Sequence, residues 1–92
     1  MREELRNEAA LYTVSMLLND GQRVIKLSYT DDIKERFENF TLRPDTVIYT
    51  DKKRTANRLV QHLKSQYKEV EVIPDWLPAE YKTIIDLLIS RV

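Results

Sequence analysis

No cysteine occurs in the chain. That excludes disulfides, thiolate nucleophiles and every zinc site that uses sulfur, and it fits a reducing compartment. Glycine occurs once, at Gly21. A single glycine cannot build the phosphate loop of either the P-loop or the dinucleotide fingerprint, so standard ATP and NAD sites are excluded and no cofactor is expected. Histidine also occurs once. His62 alone cannot form a multi-histidine metal centre, and its place between the apolar positions of a helical pattern marks it as a solvated rim residue. No apolar run approaches the roughly 20 residues that span a bilayer. The opening Met-Arg-Glu-Glu-Leu-Arg is too charged for a secretory leader. The expectation is a cytoplasmic protein with no membrane contact.

What is present is enough for one domain, 1–92, with 42% apolar residues to build its core. The 15 basic and 15 acidic residues cancel, but they are not evenly spread. Lys52, Lys53, Arg54, Arg58, Lys64 and Lys68 face Asp51 alone between positions 51 and 68, while both ends of the chain carry an acidic excess. A neutral protein with one basic element is not a general DNA coat, and any anion it binds must meet that element.

Hydrophobic spacing gives the order α-β-α-β-α-β-α. Leu5, Ala9, Tyr12 and Met16 recur at helical spacing, so residues 2–19 read as a helix, apolar over most of its circumference, that Asn19-Asp20-Gly21 stops. Arg23 to Thr30 alternates as a strand. Asp32 caps a short helix whose stripe is Ile33, Phe37 and Phe40. Thr46 to Thr50 is the most continuously apolar strand candidate and is placed at the centre of the sheet. Ala56, Leu59, Val60, Leu63 and Tyr67 mark the next helix, and Glu69 to Ile73 a third strand. Pro78 then opens a last helix with Tyr81, Ile84, Ile85, Leu88, Ile89 and Val92 on its face. Strands separated by helices of this length are joined by right-handed crossovers, so the expected fold class is α/β, a two- or three-layer domain with three parallel strands and four helices.

In such a sheet the carboxyl ends of the strands gather on one edge. Asp31, Asp51 and Asp75 follow the three expected strands, so they are the candidates for a magnesium site with oxygen ligands. The competing reading is that each caps the helix after it. Pro44-Asp45 with Asp51-Lys52-Lys53 imitates a nuclease pattern, but these acids bracket one short strand and would stand roughly 20 Å apart, too far to share a metal ion. The basic cluster is the stronger signal. Lys52, Lys53 and Arg54 occupy the first turn of a helix, against its dipole, and Arg58 follows one turn later. An anion there would meet free N–H groups, the positive dipole end and these side chains together.

The run from Thr46 to Val92 resembles the start of the C-terminal RecA-like lobe of superfamily 2 helicases. The likeness rests on the strand TVIYT, the helix opening Lys52-Lys53-Arg54, a second valine-rich strand, and a helix ending IIDLLISRV. Pro74-Asp75-Trp76 stands where that family usually has a glycine, and no phosphate loop precedes the first helix. The resemblance implies a RecA-like or flavodoxin-like layout and does not extend to motor activity.

The functional expectation is a non-catalytic module that holds nucleic-acid phosphates through Lys52, Lys53, Arg54 and Arg58. One alternative is a protein-interaction or regulatory protein of the small viral inhibitor type. It would use Trp76 in a turn and Leu11 and Leu18 on surplus apolar surface of the first helix. Another is a magnesium-dependent phosphoryl-transfer enzyme using the strand-end aspartates. The apolar circumference of the first helix further implies a homodimer.

Overall fold

The structure is a computed structural model that describes residues 4–91. Val92, expected on the last helix, and the first residues of the expected opening helix lie outside the described residues.

The segment expected to be the first helix is the central strand of the sheet. β1 (Ala10–Leu17) pairs along its whole length with β2 (Arg23–Thr30), from Ala10 opposite Thr30 to Leu17 opposite Arg23. Ala10, Tyr12 and Val14 point to one side and Leu11 and Thr13 to the other, and none is more than 5% exposed. A run that is apolar all round suits a strand covered on both faces as well as a buried helix, and the aromatic and β-branched trio Tyr12-Thr13-Val14 favours the strand. The reason given for a homodimer goes with the helix, because Ala10, Leu11, Tyr12 and Val14 are consumed inside the molecule, while Leu17 near the hairpin stays 58% exposed. Gly21 does supply a positive φ of 89°, but it does so in the β1–β2 hairpin turn. There its N–H donates to Leu18 O, Leu18 N–H donates to Gln22 O, and Gln22 N–H donates to the Asp20 carboxylate.

α1 (Ile33–Phe37) starts at Asp32, whose side chain accepts the Glu35 N–H as the sequence leads one to expect. Ile33 and Phe37 are buried, but Phe40 is 53% exposed. β3 (Thr46–Tyr49) is an edge strand rather than the centre, pairing only with β1, and all four of its residues are half-buried. α2 (Lys53–Gln66) follows. Glu69 to Ile73 is not a strand: Lys68–Val70 is a 3-10 turn, and Val72 and Trp76 close a tight loop in which Asp75 has φ 74°. The fourth strand is the two-residue β4 (Leu77–Pro78), so Pro78 lies on a sheet edge, where its missing N–H is tolerated, rather than in the first turn of a helix. A 3-10 turn then leads into α3 (Lys82–Ile89).

The sheet order is β3-β1-β2-β4 with every neighbouring pair antiparallel. The expected parallel α/β layout, and the RecA-like arrangement with it, is therefore overturned. β2 and β3 do run the same way, but β1 lies between them. No right-handed crossover joins adjacent parallel strands, because the neighbour of each is an antiparallel one. Helices α2 and α3 cover one face, closing a core of Leu11, Ile25, Leu27, Val60, Leu63 and Ile85 with their neighbours. The other face is covered by α1, Leu5, Leu42 and Trp76, around Ala10, Tyr12, Val14, Ile33 and Phe37. The Tyr12 and Phe37 rings meet edge to face with centroids 5.1 Å apart.

Candidate nucleic-acid interface

α2 has its register fixed by Ala56, Val60 and Leu63, which are buried against the sheet. At about 100° per residue, these three place Arg54, Arg58, Gln61 and Ser65 along the crest furthest from the core. Asn57 and His62 flank that crest, and all six side chains are exposed. Lys53, Arg54, Asn57, Arg58, Gln61 and His62 line one shallow, open surface.

The electrostatics of this surface are one-sided. Residues 53–66 contain no aspartate or glutamate. Lys53 Nζ lies 3.4 Å from Asp31 Oδ2 beside the end of β2, and Lys64 Nζ lies 3.3 Å from Asp75 Oδ1. Lys52, Arg54 and Arg58 form no ion pair among the described residues. The start of the helix is weakly capped: Lys52 makes no side-chain cap, and the first turn carries no acid to oppose the dipole. Lys52 N–H donates to Thr50 Oγ1 and Lys53 N–H to Asp51 O, which fixes the turn between β3 and α2.

That turn is tied to the end of β2 by Tyr29, whose hydroxyl donates to Thr50 O at 3.3 Å. Partial burial raises the Tyr29 pKa above its ordinary value, Asp31 adds to the rise, and Lys53 opposes it. At the start of α1, the Glu35 N–H held by Asp32 lowers that carboxyl below its ordinary range, and the Asn7 amide adds to the effect.

The three candidate metal ligands do not converge. Asp31 sits against Lys53 at the start of α2, whereas Asp75 sits against Lys64, eleven residues further along the helix, or about 16 Å. Among the described residues no cluster of three histidine or carboxylate side chains could hold a metal ion. β2 and β3 run the same way and bring Asp31 and Asp51 to one edge, but the third expected strand is a 3-10 turn and loop, so Asp75 lies apart beside Lys64. Asp45 accepts a hydrogen bond from Ser15 Oγ at 2.6 Å.

The expected interaction residues separate as well. Leu11 is 1% exposed in the core, and Leu18 is half-buried in the hairpin turn. Trp76 is a half-buried lid on the α1-side core, with Lys26 Nζ 5.2 Å from its ring centroid. Asn57 and Gln61 went unremarked in the sequence. The signal that marks them is the absence of any acid from position 52 to 68 together with the helical register. Among the described residues no helix is long and apolar enough to cross a membrane. Comparison with protein-family models, with curated proteins and with solved structures finds no match to this chain.

Proposed function

We propose that this protein is a non-catalytic binding module that holds nucleic-acid phosphates through the start and outer face of α2. The observation that carries the reading is that this helix contains no acid and exposes Arg54 and Arg58 without a carboxylate partner among the described residues. A helix face that merely needs solvation ordinarily mixes charges of both signs, because opposite charges one turn apart support the helix. This face gives up that support, and a polyanion would restore it. Lys52, Lys53, Arg54 and Arg58 are the contacts.

Fluorescence anisotropy with labelled nucleic acid at a series of salt concentrations tests the reading. Four phosphate contacts on a duplex give a log–log slope of roughly −3 to −4. Changing Arg54 and Arg58 together to alanine lowers the slope by about two. A salt-independent affinity, or one indifferent to these arginines, contradicts the reading.

A second reading, association with another protein or a second copy, is favoured by α3. Leu87 is 64% exposed, and Ile84 lies three residues before it on the same side of α3. Glu80 stands in the 3-10 turn before this helix and Arg91 just past its end, so an antiparallel pair of these helices brings Glu80 of one copy toward Arg91 of the other. Sedimentation equilibrium at micromolar concentration tests it: a mass of one chain, 11.0 kDa, eliminates the dimer.

A further inference from the structure

A helix that only held phosphates would need lysines and arginines. The outer side of α2 carries more than that. Gln61 stands on the crest with Arg54 and Arg58, and Asn57 flanks it, all four exposed. A side-chain amide presents a donor and an acceptor side by side. A phosphate oxygen, which only accepts, leaves the acceptor half unused. Base edges use both: asparagine and glutamine pair with N6 and N7 of adenine, and arginine with O6 and N7 of guanine.

We propose that the crest of α2 enters the major groove of double-stranded DNA, where Gln61 and Asn57 reach base edges while Arg54 and Arg58 keep the phosphate contacts given above. Lys52 and Lys53 at one end and Lys68 beyond the other lie against phosphates. The inference rests on the phosphate-binding reading above and deepens it from a charge to a groove.

Three features select this ligand over other nucleic acids. An α-helix with its side chains is about 10–12 Å across, and the major groove of B-form DNA is about 12 Å wide. The corresponding groove of double-stranded RNA is too narrow for side chains to read. Single strands are gripped by stacking on several aromatic rings, and residues 53–66 contain no phenylalanine, tyrosine or tryptophan and a single imidazole, His62. The aromatic just past the helix, Tyr67, packs on Tyr81 with ring centroids 5.2 Å apart and is half-buried. Charge agrees with the assignment, because the exposed surface around the crest is lined by cations, amides and His62 and by no carboxylate.

The geometry also sets the size of the site. From Asn57 to Gln61 the helix rises about 6 Å, which matches roughly two base-pair steps of about 3.4 Å. A single copy therefore reads about three base pairs. Lys64 is held by Asp75 at 3.3 Å on the sheet side of the helix, which removes it from the crest.

The test is selection from a random pool of double-stranded DNA by the full chain, with the same selection run on Asn57→Ala and Gln61→Ala. Both residues are exposed, and thermal melting followed by circular dichroism confirms that each variant is folded. The expected result is an enriched motif of about three base pairs. Each substitution should relax preference at one or two positions by roughly 5- to 150-fold, while the slope of affinity against salt stays unchanged. Duplex binding without an enriched motif overturns the groove assignment and leaves the phosphate reading standing. Single-stranded DNA or double-stranded RNA competing better than the duplex does the same. Absence of binding to any of the three, by a protein that melts cooperatively, overturns both.

Discussion

Asp31 holds Lys53 at 3.4 Å across the gap between the end of β2 and the start of α2. It is the acid that restrains the cationic end of the helix, so it works against anion binding. Replacing Asp31 with asparagine removes one negative charge and frees Lys53. Affinity for duplex DNA is expected to rise about two- to fivefold at low salt, with the gain fading as salt is added. Anisotropy titrations at two salt concentrations check it. An unchanged affinity means that Lys53 does not lie at the interface.

Lys52 offers a separation of stability from binding. It occupies the cap position of α2 without a side-chain cap, and the first turn carries no acid. Lys52→Asp is expected to raise stability by about 0.5–1 kcal/mol through the cap and the dipole. The same change lowers nucleic-acid affinity. Denaturant melts and binding curves on one preparation give both numbers, and a variant that moves both in the same direction argues against a functional reason for the lysine.

Thr13 is fully buried in the central strand, and its hydroxyl finds no partner among the described residues. Valine has nearly the same shape and an equal liking for strands. Thr13→Val removes the cost of burying an unpaired hydroxyl and is expected to stabilise the fold by about 1 kcal/mol. A loss of stability in urea unfolding would show that the hydroxyl is satisfied.

The Thr13 variant also bears on why β1 was hard to read. Residues 10–17 are apolar on both faces because two layers cover them, and a doubly covered strand has no alternation to betray it. Leu5, Ala9, Tyr12 and Met16 meanwhile happen to fall at helical spacing. Reading that run as a helix displaced β3 to the centre and turned an antiparallel sheet into a parallel one. Two elements whose apolar residues keep one clear period were legible. β2 alternates, and α2 keeps Ala56, Val60 and Leu63 on one buried side. The last strand was out of reach because β4 is two residues long and is set by its partners Val24 and Ile25. Lys52, Lys53, Arg54 and Arg58 were visible as a charge run. Asn57 and Gln61 join them only once the register of the helix is known.

The start of α1 makes stability depend on pH in a defined direction. Asp32 is lowered below its ordinary value chiefly by the Glu35 N–H, then by Asn7. A carboxyl depressed on folding contributes stability that is present above its unfolded pKa and is lost as pH falls through its folded one. Asp32→Asn keeps an acceptor for the Glu35 N–H and cannot titrate. Its stability is expected to fall less steeply than the parent's below about pH 4. Acid titrations of both proteins check it, and parallel curves contradict the assignment.

The most direct measurement of the central claim is a nitrogen–proton correlation spectrum of the labelled protein recorded during titration with a short DNA duplex at low salt. The amide and side-chain signals of Arg54, Asn57, Arg58 and Gln61 should move together and saturate. Those of Tyr12, Ile33 and Phe37, on the far side of the sheet, should stay in place. Shifts confined to the α1 side, or none at millimolar DNA, would contradict the assignment of α2 as the nucleic-acid surface.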